Sequence, residues 1–287
     1  DIESAFVAET ILAEGGHLQH IQQLQDRRAS LIEDVGGRVR MLTEFGNIWQ
    51  VRLQNADMAA IIEIARAKGI RVLEDCAQST GALTGDIRSG AFGDLAAFSF
   101  YPTKLLGAYG DGGMVIADDE ALAARLKSLR MYGMQGRYYA DEHGYNSRLD
   151  EVQAAILQVK LSRLDGWIGR RRELADRYRA GLGVTGLTLP VEMDGNRHAY
   201  YIYVVSHPER DALIAGLRDA DIHVNISYPW PIHIMTGYAH LGYKAGDFPV
   251  AEAAAERIFS LPMYPGLTDA QQDRVIEVLR GLPELRR

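Results

Sequence analysis

Residues 71–113, RVLEDCAQSTGALTGDIRSGAFGDLAAFSFYPTKLLGAYGDGG, constrain the fold more than any other stretch of the chain. They contain two short apolar runs, each breaking into polar residues at its carboxyl end. The first, with Ile70, Val72 and Leu73, follows a helix that stops at Gly69 and leads into Glu74, Asp75, Cys76, Ala77 and Gln78. The second, residues 95–100, ends with Ser99, Tyr101, Pro102, Thr103 and Lys104 before Leu105, Leu106 and Gly107. Both runs have the length of buried strands. In open α/β sheets ligands sit outside the carboxyl ends of strands, so Asp75 and Lys104 are expected to face one crevice. A carboxylate at the end of a buried strand needs a cationic partner. A partly desolvated lysine near another cation has a lowered pKa and forms a Schiff base with a carbonyl. The same residues also suit a solvated turn lysine and an aspartate that caps a helix, and spacing leaves both readings open.

Three segments carry a resemblance. EDCAQSTGA, FGDLAAFSFYPTKLLGAYGDGGMV and GYNSRLDEVQAAIL occur in the order of the signature blocks of the DegT/StrS-like sugar-nucleotide aminotransferases. These are pyridoxal-phosphate enzymes of the aspartate-aminotransferase fold, fold type I. The resemblance implies an α/β large domain, incomplete at its amino terminus, and a smaller α+β carboxyl-terminal domain. It implies that Lys104 forms the covalent link to pyridoxal 5'-phosphate, that Asp75 pairs with the pyridinium nitrogen, and that Gln78 lies beside the ring or its hydroxyl. It further implies that Ser99 contacts the phosphate and that Asn146 reaches the phosphate of the neighbouring subunit's cofactor, hence a homodimer. The residue types agree, because the ring is an electron sink only while its nitrogen stays protonated, and a buried carboxylate holds that proton. The loop SYPWPIHIMTGYAHLGY is similar to the family's YPxPxH block, which places Tyr228 and His233 near substrate, with His198 a further candidate. The implied reaction moves an amino group from glutamate to a nucleotide-linked keto-sugar. Lys104 argues against the family's dehydratases, in which that lysine is replaced.

The length, 287 residues, suits one large and one small domain. We expect an atypical segment over 1–54, a cofactor-binding domain over 55–180 and a small domain over 181–287. A net charge of -7 gives no basic footprint for nucleic acid, and the arginine-rich stretch from Arg170 to Arg177 reads as a solvated helix face. The single cysteine, Cys76, excludes an internal disulfide and fits a cytoplasmic location; no apolar run is long enough to span a membrane. His17 and His20 lack accompanying metal ligands.

In chain order, Val39, Met41, Thr43 and Phe45 alternate with polar residues, Gly46 and Asn47 interrupt, and Trp49, Val51 and Leu53 alternate again, a hairpin pattern. A helix over 55–68, capped by Asn55, carries Met58, Ile61, Ile62 and Ala65 on its buried stripe. Beyond the lysine turn come a strand over 114–117 and a helix through Leu122, Leu126 and Leu129. Asp111, Gly112 and Gly113 suit a tight strand-entry turn better than an anion cradle. A long helix starting at Ser147 is expected to bury Leu149, Val152, Ala155, Ile156 and Val159. The small domain reads as strand 198–205, helix 208–217, strand 222–226, helix 250–258 and a last helix with a Thr268/Gln271 capping box. Relatives carry a Gly-Thr phosphate-cup segment and a ring-stacking aromatic residue toward the amino terminus, and neither is found here. Two explanations stand: a replaced amino-terminal region, or a longer protein of which this chain omits segments. The second functional reading is accordingly a catalytically inactive paralogue serving as a structural or regulatory subunit.

Overall fold

The computed structural model describes residues 39–45, 48–53, 58–136 and 138–286, and side chains from Ile62 onward. The expectations for residues 1–28 and for the Asn55 cap lie outside the described residues. The chain divides into two compact units. One runs to Leu164 and takes back Met193–His198; the other comprises Asp165–Glu192 and Ala199–Arg287.

In the first unit the alternating pattern does form a hairpin. Strand β1 (Val39–Phe45) pairs antiparallel with β2 (Ile48–Leu53), from Val39 opposite Leu53 to Phe45 opposite Ile48. Helix α1 (Met58–Ala67) buries Ile62 and Ala65. Its carboxyl end is closed by Gly69 at φ +65, whose N–H bonds Arg66 O while the Ile70 N–H bonds Ala65 O. A side chain would strain that left-handed position, which is why the helix stops at glycine.

Strand β3 (Leu73–Asp75) then enters a three-stranded sheet. The short β4 (Leu83–Thr84) and β5 (Ile87–Arg88) form a separate ribbon, and β6 (Leu95–Ser99) pairs parallel with β3 and antiparallel with β7 (Gly113–Ala117). Ala96 and Ser99 are buried, but Leu73 and three successive residues of β7, Met114, Val115 and Ile116, are exposed, Met114 by 46%. The runs read as buried strands are therefore only partly covered. A continuous apolar strand needs packing on both faces, and three strands make up this sheet among the described residues.

Helix α2 (Glu120–Leu129) follows, its first N–H groups capped by Asp119. A close-packed ribbon then carries the small hairpin β8 (Met134–Gly136) and β9 (Tyr139–Ala140). Helix α3 (Glu151–Leu161) starts four residues beyond the expected Ser147, with Asp150 at its cap position making no side-chain cap bond. Its buried face is not the expected stripe. Val152 and Val159 are 65% and 62% exposed, and the buried residue is Leu157, in a cluster with Phe100, Leu106 and Ala108. Strand β10 (Asn196–Arg197) returns to pair with β4.

The second unit is an α+β lobe. Helix α4 (Leu164–Leu182) is separate from α3, the break falling at Ser162 and Arg163. Its Leu174, Ala175, Tyr178 and Leu182 pack with β11 (Tyr203–Ser206), α5 (Arg210–Asp219) and, after α6 (Pro249–Arg257), with β12 (Ile258–Leu261) and α7 (Asp269–Gly281). Strand β11 pairs antiparallel with β12. The expected strand over 222–226 reduces to one bridge, Asn225 to Ser260. The capping box on α7 forms as expected, with Gln271 N–H on Thr268 Oγ1 at 3.2 Å and Thr268 N–H on Gln271 Oε1 at 3.0 Å.

The arginine stretch on α4 is not simply a solvated face. Arg171 is only 6% exposed, and its Nη1 donates to three carbonyls: Tyr200 at 3.1 Å, Tyr201 at 2.9 Å and Met263 at 2.7 Å. Burial lowers its pKa to about 10. Arg170 and Arg177 bond Asp269 and Asp273 of α7, and Arg172 forms a two-pronged pair with Glu192.

Candidate active site

The carboxyl ends of β3 and β6 lie side by side because the two strands run parallel, Asp75 opposite Ala97, and the Cys76 N–H extends the ladder to Ala97 O at 2.8 Å. Ser99 is two residues beyond that partner, at the end of β6, and is buried. Its hydroxyl accepts the Tyr101 N–H at 3.3 Å, which leaves the hydroxyl proton for an acceptor such as an anion. Asp75 is exposed, not buried as the sequence suggested; its Oδ1 accepts the Ala77 N–H at 3.0 Å, capping its own turn. Gln78, in the same turn, is exposed.

Lys104 is half-buried in the turn after β6. Its N–H bonds Tyr101 O at 2.8 Å, and the turn closes where the Ala108 N–H bonds Phe100 O at 2.7 Å. Gly107 is required by close approach: a Cβ there would lie 2.3 Å from the Pro102 carbonyl oxygen. Cys76, adjacent to Asp75, is buried, and desolvation pushes its thiol up to about 11, so it stays protonated at neutral pH.

Two neighbouring acids have structural work that the sequence did not reveal. Glu74 accepts three backbone N–H groups, from Gly90 at 2.8 Å and from Phe92 and Gly93 at 2.7 Å each, and so ties the loop before β6 to β3. Asp94 accepts the Val72 N–H at 2.8 Å and Arg71 at 2.7 Å. Burial raises its pKa, but that N–H and the guanidinium outweigh burial and hold it below its ordinary value. For Glu74, adjacency to Asp75 at a strand end is the only sequence signal; Asp94 has none.

Asn146 is exposed at the end of the close-packed ribbon, bridged to Met131, with its Oδ1 accepting Arg148 Nε at 3.0 Å. The ribbon owes its closeness to Gly133 and Gly144, since a Cβ on Gly144 would lie 2.1 Å from Gly133 N. The Tyr138 and Tyr139 side chains at its tip are exposed. His198, in the segment that returns to this unit, is exposed.

Tyr228 and His233 belong to the second unit. Tyr228 is 65% exposed, beside the equally exposed Trp230. His233 is buried, its Nε2 2.8 Å from Glu252 Oε1 and its ring edge-on to Phe248. Glu252, unnoticed in the sequence, also accepts the N–H groups of Gly246 and Phe248. Those bonds, Gly246 first and His233 next, hold its carboxyl below its ordinary pKa.

The donor set in the first unit fits pyridoxal phosphate. It offers an amine for an aldehyde, a strand-end carboxylate for a pyridinium nitrogen, and a buried hydroxyl with a free proton for a phosphate. Among the described residues no cluster suits a metal ion, and no helix is long and apolar enough to cross a membrane.

Comparison with known proteins gives three findings. The profile of the DegT/DnrJ/EryC1/StrS aminotransferase family matches residues 50–280. Among individual relatives, the dTDP-3-amino-3,4,6-trideoxy-alpha-D-glucose transaminase of Micromonospora megalomicea subsp. nigra is 54% identical over 79% of this chain and 62% of its own. The UDP-N-acetyl-3-dehydro-alpha-D-glucosamine 3-aminotransferase of Acidithiobacillus ferrooxidans is 41% identical over 78% of this chain and 60% of its own. Among solved structures, DesV of S. venezuelae, in complex with a ketimine intermediate, superposes with a TM-score of 0.75 at 42% identity, over 79% of this chain and 62% of its own. The chain thus spans about three-fifths of the length of the relatives it matches.

Proposed function

The chain belongs to the DegT/DnrJ/EryC1/StrS aminotransferase family, with the fold of its pyridoxal-phosphate enzymes, and from that premise we propose that it transfers an amino group from glutamate to a nucleotide-linked keto-sugar. The observation that carries this reading is the lysine turn: Lys104 sits in a closed loop at the carboxyl end of β6, on the strand parallel to the one that ends in Asp75. The two relatives named above act on dTDP- and UDP-linked sugars, which supports a nucleoside-diphosphate sugar as substrate.

In this reading Lys104 holds pyridoxal phosphate covalently, Asp75 pairs with its ring nitrogen, Gln78 lies beside the ring, and Ser99 donates to the phosphate. When bound, the cofactor supplies an electron sink for the carbon that bears the amino group. Asp75, exposed in the structure, would be shielded from water once paired with the ring nitrogen, which would strengthen that ion pair. Lys104 Nζ would carry the proton, taking it from the donor's α-carbon and later delivering one to the sugar carbon that receives nitrogen. Glutamate leaves as 2-oxoglutarate, and the keto-sugar as an amino sugar. Tyr228, His233 and His198 are assigned to the sugar-nucleotide side.

The same proposal includes a homodimer in the cytoplasm, without nucleic-acid or membrane partners. Asn146 then serves the neighbouring subunit's cofactor. The exposed Val152 and Val159 of α3 and Tyr138 and Tyr139 of the hairpin support a subunit contact. Retention of Asp75, Ser99 and Lys104 together weighs against an inactive partner subunit.

The test is glutamate-dependent formation of 2-oxoglutarate with dTDP- and UDP-linked keto-sugars, for the wild type and for Lys104→Ala. We expect turnover with at least one sugar and none above background in the variant. Equal turnover by both proteins would overturn the assignment of Lys104.

A further inference from the structure

Three residues of α3, Gln153, Leu157 and Lys160, are four and three positions apart and share one helix face. All three touch the loop that follows Lys104. Gln153 reads the backbone of Tyr109 in both directions: its Oε1 accepts the Tyr109 N–H at 2.9 Å, and its Nε2 donates to Tyr109 O at 2.6 Å. Leu157 packs with Phe100, Leu106 and Ala108. Lys160 Nζ donates to Gly107 O at 2.5 Å and lies 4.7 Å from the centre of the Tyr109 ring.

The grip falls on one leg of a loop whose other leg carries the lysine. Residues 100–104 and 107–109 are joined by the Ala108 to Phe100 bond and by the contact of Gly107 with the Pro102 carbonyl, which leaves no room for a Cβ. Moving one leg moves the other. We propose that Gln153 and Lys160 are positioning residues for Lys104, setting the direction of its amine through the backbone of Tyr109 and Gly107. A reacting amine has to be held within about 0.5 Å of its working position, and a turn tethered only at its ends does not achieve that. The chemistry of these two side chains suits the task. The glutamine amide matches a peptide N–H and C=O together, and the ammonium group binds a carbonyl and a ring face at once.

The functional meaning rests on the reading of Lys104 as the cofactor-bearing lysine, so the test is made on protein free of pyridoxal phosphate. Lys104 is labelled by reductive methylation with formaldehyde and cyanoborohydride across a range of pH. Its rate is taken by peptide mass spectrometry relative to the exposed Lys127 of α2. The proteins are the wild type, Gln153→Glu, Lys160→Met and Lys160→Arg. Gln153→Glu keeps the acceptor for the Tyr109 N–H and loses the donor; Lys160→Met keeps the stem and loses the cation; Lys160→Arg keeps both donor and cation.

We expect the Lys104 profile to move by at least roughly threefold in relative rate in Gln153→Glu and Lys160→Met, because a small displacement of a reacting group changes its rate. Lys160→Arg should restore the wild-type profile. Four superimposable profiles in proteins with native circular dichroism would overturn the proposal. If Gln153→Glu loses its fold, the Lys160→Met and Lys160→Arg pair carries the test alone, with the same two outcomes. A wild type that binds no pyridoxal phosphate, but whose Lys104 reactivity depends on these residues, would overturn the functional reading and leave this one standing.

Discussion

Glu74 and Asp75 leave β3 as neighbours and do different work, because alternate residues of a strand face opposite ways. Glu74 turns into the loop over 90–93 and satisfies three backbone N–H groups there, whereas Asp75 faces the end of the sheet. Replacing Glu74 with alanine leaves those three donors without their acceptor. We expect a loss of about 2–3 kcal/mol in urea unfolding, and Asp75→Ala should cost far less stability. Glu252 makes a prediction in pH. Its folded pKa is lowered, so its contribution is present above the unfolded value, about 4.3, and is lost as pH falls through the folded value. The stability gap between wild type and Glu252→Gln should therefore be full at pH 7 and narrow steadily below about pH 4. A gap that stays constant with pH would show that its bonds do not depend on ionisation. Lys104, Asp75 and Ser99 were nominated from the sequence because they belong to contiguous blocks. Glu74 and Glu252 were not, since their partners are backbone groups that no side-chain pattern reveals.

At the scale of elements, several local signals worked, the expected start of α3 did not, and remote ones failed. The glycine that stops α1 and the Thr268/Gln271 box on α7 are decided within a few residues of chain, and both formed as expected. The buried face of α3 is decided by partners 44 and 53 residues away, at Tyr109 and Gly107. Those partners let Gln153 and Lys160 displace the valines from the inner face. Hydrophobic periodicity cannot register a polar side chain whose bonding groups are supplied by a distant loop. Arg171 escaped for the same reason, its three carbonyls lying 29, 30 and 92 residues away. The lysine turn is the element that offers the sharpest test. Gly107→Ala puts a methyl group 2.3 Å from the Pro102 carbonyl oxygen, so the turn must open. We expect a cost of about 1–3 kcal/mol, as for other overpacked sites, and a matching fall in pyridoxal-phosphate affinity. Unchanged affinity at reduced stability would separate the turn's shape from its role.

For the whole molecule, the sequence blocks indicated the family and the α/β fold, while the covering of the β3–β6–β7 sheet was not legible. Apolar strands look buried in sequence whether or not another layer reaches them. The exposed valines of α3 bear on assembly: sedimentation should find a dimer, and Val159→Asp, which places a charge among apolar side chains, should shift it toward monomer. A wild-type monomer that remains active would remove the role given to Asn146. The most direct test of the central claim is chemical. Protein incubated with pyridoxal phosphate is reduced with borohydride and mapped by peptide mass spectrometry, beside Lys104→Ala. The account predicts a visible absorption band that reduction abolishes and a pyridoxyl group found on Lys104, with neither in the variant. A folded wild-type protein with no band, or with the label spread over other lysines, would contradict it.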